Sequence, residues 1–199
     1  MNKIKVMLVE DDTFWQQALS EDLGEEPDIE IVRIVSSKEE AIPAADEGGL
    51  DVVLMDINLT ENRLDGLEAT REIMSMAGSS GPRIIMLTSL QDKDIIVRSF
   101  QNGAVNYISK SNYKDMVQAI RDAAANKLSL HPDAGPALLQ EIKLSQLTPS
   151  EREIYELREK GMSRTEMSRS LNKSLSTIKT QLRSIRDKLP FGSKKGPDA

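Results

Sequence analysis

The residues with most to offer chemically are acids placed directly behind apolar runs. Val6-Met7-Leu8-Val9 leads into Glu10, Asp11 and Asp12, and Val52-Val53-Leu54-Met55 leads into Asp56. Ile84-Ile85-Met86-Leu87 leads into Thr88-Ser89, and Val105-Asn106-Tyr107-Ile108 into Ser109-Lys110. Such runs read as fully buried strands. Polar residues just past the carboxyl ends of parallel strands are where an open α/β sheet builds its sites. The set joins carboxylates, a hydroxyl and an amine, in a chain with no cysteine and a single histidine, His131. Carboxylates held close repel one another, and a hard divalent cation with oxygen ligands relieves that repulsion. The chemistry that fits is Mg2+-assisted phosphoryl transfer onto a carboxylate, with charge on the moving group neutralised by Mg2+ and Lys110.

Positioning these residues takes a regular alternation of elements over the first 125 residues. A helical stretch follows Asp12-Thr13 and continues through Leu23; Ile29–Val35 is a strand. Ser37-Lys38-Glu39-Glu40 has the form of a capping box opening a helix to about Asp46. Asp65-Gly66-Leu67-Glu68 is expected to cap the helix after Asp56, with Leu67, Ile73 and Met74 facing inward; Asp92–Asn102 and Tyr113–Ala125 are the last two helices. Strands alternating with helices in this way predict a doubly wound α/β sandwich, flavodoxin-like in size.

The chain then changes character. Residues 126–146 mix Asn, Lys, Pro and Gly around a short helical piece, Ala137–Leu144, and read as a linker that includes His131. Thr148-Pro149-Ser150-Glu151 and Ser163-Arg164-Thr165-Glu166 each have the capping pattern, and Gly161 stops the first of these helices. Ser174 caps a third, with Ile178, Leu182, Ile185 and Leu189 on one face. Helix, tight turn, short helix, turn, longer helix is helix-turn-helix geometry over residues 147–190, followed by a tail over 191–199. Charge divides at the same place. Residues 1–144 carry 14 basic against 25 acidic side chains, whereas residues 145–199 carry 12 against 7. A basic second domain behind an acidic first one points to an anionic partner for the second; a solvated basic helix pair would have the same charge. No apolar run approaches the ~20 residues of a membrane span, and the N-terminus enters a strand without a signal-peptide pattern. A cytoplasmic protein with no membrane partner is the expectation.

The order of the strand-end residues resembles the receiver domain of two-component response regulators, over roughly residues 3–125. The resemblance implies that Asp56 is the phospho-acceptor. Glu10 and Asp11 would hold Mg2+ with Asp56, Asp11 directly and Glu10 through water, and the Asn58 carbonyl would be another ligand. Thr88 would hydrogen-bond the phosphoryl group, Lys110 would pair with it, and Tyr107 would be the switch aromatic. The phosphoryl group would come from a sensor histidine kinase or a small acyl phosphate, and the only catalysis would be the receiver's own phosphorylation and dephosphorylation. Two departures stand out: the stretch between Asp56 and Gly66 is two residues longer than usual, and Ser111 follows Lys110 where proline is usual.

The second domain resembles the LuxR/NarL helix-turn-helix, through Leu147–Ile154, Gly161, Ser163, Glu166, Leu171, Ser174, Thr177-Ile178-Lys179, Ile185 and Lys188-Leu189. In that family the last helix of the motif lies in the DNA major groove. Here it would present Lys179, Thr180, Arg183 and Arg186 to bases and backbone, with Ser174, Ser176 and Thr177 meeting phosphates. Lys173, Ser168 and Gln181 depart from the pattern, where an aliphatic residue, alanine and histidine are usual, and Pro190–Ala199 is too rich in Pro and Gly for the family's fourth helix. The implied function is a transcriptional response regulator that dimerises on activation and binds double-stranded promoter DNA under control of Asp56. Two alternatives stay open: a regulator whose basic domain binds protein, and a phosphohydrolase passing through an aspartyl phosphate. Against the second, Asn58 stands where such enzymes carry a second aspartate.

Overall fold

The computed structural model describes residues 3–60, 64–78, 81–90, 92–127 and 129–189. The stretch Glu61-Asn62-Arg63 of the long segment after Asp56, and the tail from Pro190, lie outside the described residues. The chain divides into two compact units, Met1–Leu138 and Leu139–Ala199.

In the first unit β1 (Ile4–Val9), β2 (Ile29–Val35), β3 (Val52–Met55), β4 (Arg83–Thr88) and β5 (Asn106–Ser109) form one parallel sheet in the order β2-β1-β3-β4-β5. Helices α1 (Thr13–Gly24), α2 (Lys38–Asp46), α3 (Asp65–Ala77), α4 (Lys93–Gln101) and α5 (Met116–Ala124) cover both faces. On one face Val6, Leu8, Leu54, Ile85 and Ile108 pack with Leu19 and Leu23 of α1 and Ile120 of α5. On the other, Met7, Val9, Val53, Met55, Met86 and Tyr107 pack with Leu67 and Ile73 of α3 and Ile96 of α4. Burial on both faces explains why these strands are continuous apolar runs, not alternating ones. Register then does the positioning: Val9 lies beside Met55 and Thr88 beside Ser109, so the residues following β1, β3, β4 and β5 emerge along one edge.

Local differences from the sequence reading have simple causes. The helix expected from Tyr113 begins at Met116, because Lys110–Asp115 first takes a 3-10 path, with Asn112 non-helical at φ −114°. Asp65 does not cap α3. The capping position is Leu64, which makes no side-chain bond, and the Asp65 carboxylate accepts from the Thr60 hydroxyl instead. Ser37 does cap α2, but the Glu40 carboxylate returns to the Ser36 N–H, one residue earlier than a capping box requires. The region expected as a linker is divided. Its first part packs on the sheet: Ser109 N–H donates to Asp133 Oδ2 at 2.8 Å, His131 N–H donates to Asn106 Oδ1 at 3.0 Å, and Ala134 and Ala137 are buried in the cluster that contains Tyr107. The helix α6 (Gly135–Leu144) runs through the boundary between the units, and its last residue joins the second core.

The second unit holds α7 (Pro149–Glu159), α8 (Arg164–Ser170) and α9 (Leu175–Lys188) around Leu144, Leu147, Ile154, Met167, Ile178 and Ile185. Both predicted capping boxes, Thr148 with Glu151 and Ser163 with Glu166, are formed. Two left-handed residues make the turns: Gly161 at φ 82° and Asn172 at φ 50°. Asparagine tolerates that region better than other side-chain-bearing residues.

Gly66 is where the fold constrains the acidic edge most tightly. A Cβ there would lie 1.9 Å from the Asp56 carbonyl oxygen, and the Gly66 N–H donates to the Ile57 carbonyl at 2.9 Å. Only the absence of a side chain lets α3 start this close to the chain behind β3. Gly66→Ala is expected to lower stability to urea by about 1–3 kcal/mol through forced displacement of the Asp56 backbone. Gly24→Ala, where the added carbon meets nothing within 4 Å, serves as the control and stays within about 0.5 kcal/mol of wild type.

Candidate functional site

Glu10, Asp56 and Lys110 converge, Thr88 ends the neighbouring strand β4 beside Ser109, and all four are buried. Lys110 Nζ lies 2.6 Å from Glu10 Oε2 and 2.9 Å from Asp56 Oδ2. The other Asp56 oxygen accepts from the Ile57 N–H at 2.6 Å, and Glu10 Oε1 accepts from the Asp12 N–H at 3.3 Å. Asp11 is exposed at the mouth of the site, and Asp12 caps α1 by accepting from the Phe14 N–H. Burial pushes the Glu10 carboxyl above its usual range, and neighbouring Asp56 pushes it further, against the pull of Lys110. Burial also disfavours the Lys110 charge, yet its bonds and charge pairing with Asp56 and Glu10 outweigh that and raise its pKa. The ammonium is therefore firmly protonated.

Glu10, Asp11 and Asp56 bring one carboxylate oxygen each to within 4.8 Å of one another. Two of the three are buried, and the donors are all hard oxygens, a set that suits Mg2+ or a similar divalent ion and no softer metal. Asn58 is half-buried two positions after Asp56.

Thr88 and Tyr107 meet through a residue the sequence reading did not single out. The Leu90 N–H donates to Thr88 Oγ1 at 3.3 Å, and the Leu90 carbonyl accepts from the Tyr107 hydroxyl. Tyr107 is fully buried; burial, with Asp133, Asp56 and Asp92 nearby, holds its phenol protonated far above the ordinary range. One residue thus donates to one switch candidate, Thr88, and accepts from the other, Tyr107. Nothing in the local sequence marks Leu90; its role comes from where the β4–α4 connection runs.

In the second unit Ser174, Ser176, Thr177, Lys179, Thr180, Arg183 and Arg186 are all exposed, and α9 presents them opposite the buried Ile178 and Ile185. Ser174 caps α9 by accepting from the Thr177 N–H at 3.1 Å. Lys179 and Arg183 have no ion-pair partner among the described residues, while Arg186 is 3.9 Å from Asp187. The three off-pattern residues prove to be linked. Lys173 Nζ donates to Ser150 Oγ at 2.7 Å and pairs with Glu153 at 3.2 Å, Gln181 Nε2 donates to the same Ser150 Oγ at 2.9 Å, and Ser168 Oγ donates to the Lys173 carbonyl at 2.6 Å. A polar cluster centred on Ser150 thus stands where an apolar contact would be usual. Glu151 fastens α9 to α7 in parallel: it accepts from Lys188 Nζ at 2.6 Å and Ser184 Oγ at 2.6 Å, besides its capping bond from Thr148 N–H.

Residues 6–121 match the response regulator receiver domain. That is more than half of the chain. The chain belongs to the response regulator family. Residues 143–189 match Sigma-70 region 4, a helix-turn-helix region. Over nearly its whole length the chain is 32% identical to the transcriptional regulatory protein LiaR of Bacillus subtilis (strain 168), covering 94% of this chain and 90% of that protein. A LuxR-family two-component response regulator from Aurantimonas sp. SI85-9A1 superposes with a TM-score of 0.63 at 28% identity, covering 70% of this chain and 98% of that one. A structure of two RcsB dimers bound to two parallel DNAs has the same fold, with a TM-score of 0.68 at 21% identity over 97% of this chain and 95% of that one. The regulator therefore joins a receiver of flavodoxin-like topology to a helix-turn-helix unit of the LuxR-type group. Among its described residues no helix is long and apolar enough to cross a membrane.

The bonds from Lys188 first, then Ser184 and Thr148, hold the Glu151 carboxyl down at about 2, against an ordinary 4.5. The folded state thus binds this proton more weakly than the unfolded chain does. Its stabilising contribution is complete above about 4.5 and disappears as pH falls towards about 2. Acid titration followed by circular dichroism should show the helical unit losing stability across that window, with a smaller loss in Lys188→Met. Ser150→Ala leaves Lys173 and Gln181 without their shared acceptor, and is expected to cost about 1–3 kcal/mol in thermal or urea unfolding of this unit.

Proposed function

We propose that this regulator is switched by phosphorylation of Asp56 and controls transcription by binding double-stranded DNA through α9. The observation that carries the reading is the buried Asp56 carboxylate, paired with Lys110 at 2.9 Å and standing within 4.8 Å of the Glu10 and Asp11 oxygens. Mg2+ would be held by Asp11, Asp56, the Asn58 carbonyl and, through water, Glu10. When bound it would shield the incoming phosphoryl oxygens from the acidic pocket. Asp56 is the nucleophile, Lys110 meets an oxygen of the transferred group, and Thr88 donates to another. The donor is a sensor histidine kinase or a small acyl phosphate. The receiver acts on itself alone, in gaining and losing its phosphoryl group.

Once Thr88 turns towards the phosphoryl group, its Oγ1 no longer accepts from the Leu90 N–H, and the backbone of Leu90 is free to change the bond that its carbonyl accepts from Tyr107. A local gain of negative charge thereby biases the β4–α4 connection between two arrangements. The favoured state exposes a homodimer face, formed by the receiver helices or the helix after them, or releases the basic unit. Two α9 helices then enter major grooves about one helical turn apart. The DNA-bound RcsB dimers and the transcriptional role in the name of LiaR support this assignment. A cytoplasmic location follows from such a partner.

The acceptor is tested with labelled acetyl phosphate and Mg2+: wild type takes up label and Asp56→Asn takes up none. The reader is tested with Lys179→Ala/Arg183→Ala. DNA affinity should fall by about 10-fold or more, and the dependence of log affinity on log salt should flatten by about 0.9 for each phosphate no longer neutralised. Unchanged affinity would remove α9 from the groove and favour a protein partner for the basic unit.

A further inference from the structure

Trp15, the only tryptophan of the chain, stands on the first turn of α1 beside the acidic pocket. Lys110 Nζ lies 5.3 Å from its ring centroid. The indole packs edge-on against Tyr113 at 5.8 Å and Phe14 at 5.7 Å. Tyr113 belongs to the 3-10 segment that starts at Lys110, so the indole braces both the lysine and the chain that carries it. The ammonium is thus bounded by Glu10 at 2.6 Å, by Asp56 at 2.9 Å and by an aromatic face.

Carboxylates hold an ammonium strongly, but they compete for it. Lys110 has to leave its bond to Asp56 Oδ2 when phosphorus is attached there, and meet a phosphoryl oxygen instead. An aromatic face attracts a cation without offering a rival anion, and the attraction grows where water is excluded. We propose that Trp15 is a positioning residue for Lys110: its indole keeps the ammonium over the pocket as partners change, and so sets how fast Asp56 is phosphorylated and how long the phosphoryl group persists. The inference rests on the reading of Asp56 as phospho-acceptor. In the forward step a bond forms between an Asp56 carboxylate oxygen and phosphorus, while the phosphorus–oxygen bond to the donor breaks and acetate leaves with the electron pair. In the reverse step water oxygen bonds to phosphorus, the Asp56 carboxylate leaves, and the water proton passes to solvent or phosphate. Lys110 carries the same charge throughout both.

The test compares wild type, Trp15→Phe and Trp15→Leu, each also with Lys110→Met, using labelled acetyl phosphate and Mg2+. Trp15→Leu is expected to slow label uptake and shorten label lifetime by about three- to tenfold, and Trp15→Phe to recover most of both. With Lys110→Met, the Leu substitution should change neither by more than about twofold, since the residue it acts through is gone. An independent readout is the proton NMR signal of the Lys110 ε-methylene, assigned by its loss in Lys110→Met. The indole face should shift it upfield in wild type, and the shift should vanish in Trp15→Leu. Wild-type kinetics in Trp15→Leu, an equal effect in both Lys110 backgrounds, or an unshifted Lys110 signal in wild type overturns the proposal. Absence of label in wild type, or its presence in Asp56→Asn, overturns the phospho-acceptor reading instead, and the Lys110 spectrum still decides the Trp15 contact.

Discussion

Lys110 brings one positive charge into a space walled by two buried carboxylates, and the geometry of the receiver edge follows from how that charge is shared. Taking an ammonium and two carboxylates out of water is costly unless each finds a partner, and removing a single member leaves the others uncompensated. Glu10 at 2.6 Å and Asp56 at 2.9 Å satisfy the ammonium, but a surplus of negative charge remains, and burial expresses it in the raised affinity of Glu10 for a proton. A divalent cation or a proton would relieve the same surplus. The phosphorylation proposed for Asp56 would alter the balance again, by adding on the order of −1.5 to −2 charges. A site held together by charge is sensitive to such a change in a way an apolar core is not.

The two switch candidates are joined through few atoms. Leu90 offers its N–H to Thr88 and its carbonyl to Tyr107, and Tyr107 shares its apolar surroundings with Ala134 and Ala137, beyond the sheet. Asp133 and His131 fasten the same segment to Ser109 and Asn106 at the end and start of β5. β5, which leads into Lys110, thus also anchors the chain that follows the receiver helices. In the helix-turn-helix unit, Ser150 accepts from Lys173 and from Gln181 of α9, and neighbouring Glu151 accepts from Ser184 and Lys188 of α9. Those ties fasten α9 to α7 on the side away from its exposed basic residues.

Much of this is legible in the sequence because buried parallel strands leave a strong signature. Continuous apolar runs mark the strands, and the residues behind them mark the acidic edge, since parallel register brings equivalent strand ends together. Capping patterns locate the starts of α7 and α8 to the residue. What escapes depends on contacts distant in sequence. Leu90 looks like any apolar loop residue, and Trp15 like a core aromatic on α1. Gly66 is recognisable as a glycine at a helix start, but only the fold shows the Asp56 carbonyl against it. Asp65 is an exception: it looks like a cap by residue type, and its actual partner, Thr60, is also near in sequence, so the path of the segment after Asp56 decides the bond. Lys173, Ser168 and Gln181 are visible as departures; that they answer one another through Ser150 is not.

The most direct test of the account asks whether charge at Asp56 governs DNA recognition. Fragmented genomic DNA is recovered with the purified protein in the presence of Mg2+, with and without beryllofluoride as a phosphoryl mimic, and sequenced. The account predicts enrichment of discrete sites with the mimic and little without it. Equal enrichment in both states, or none in either, would contradict it.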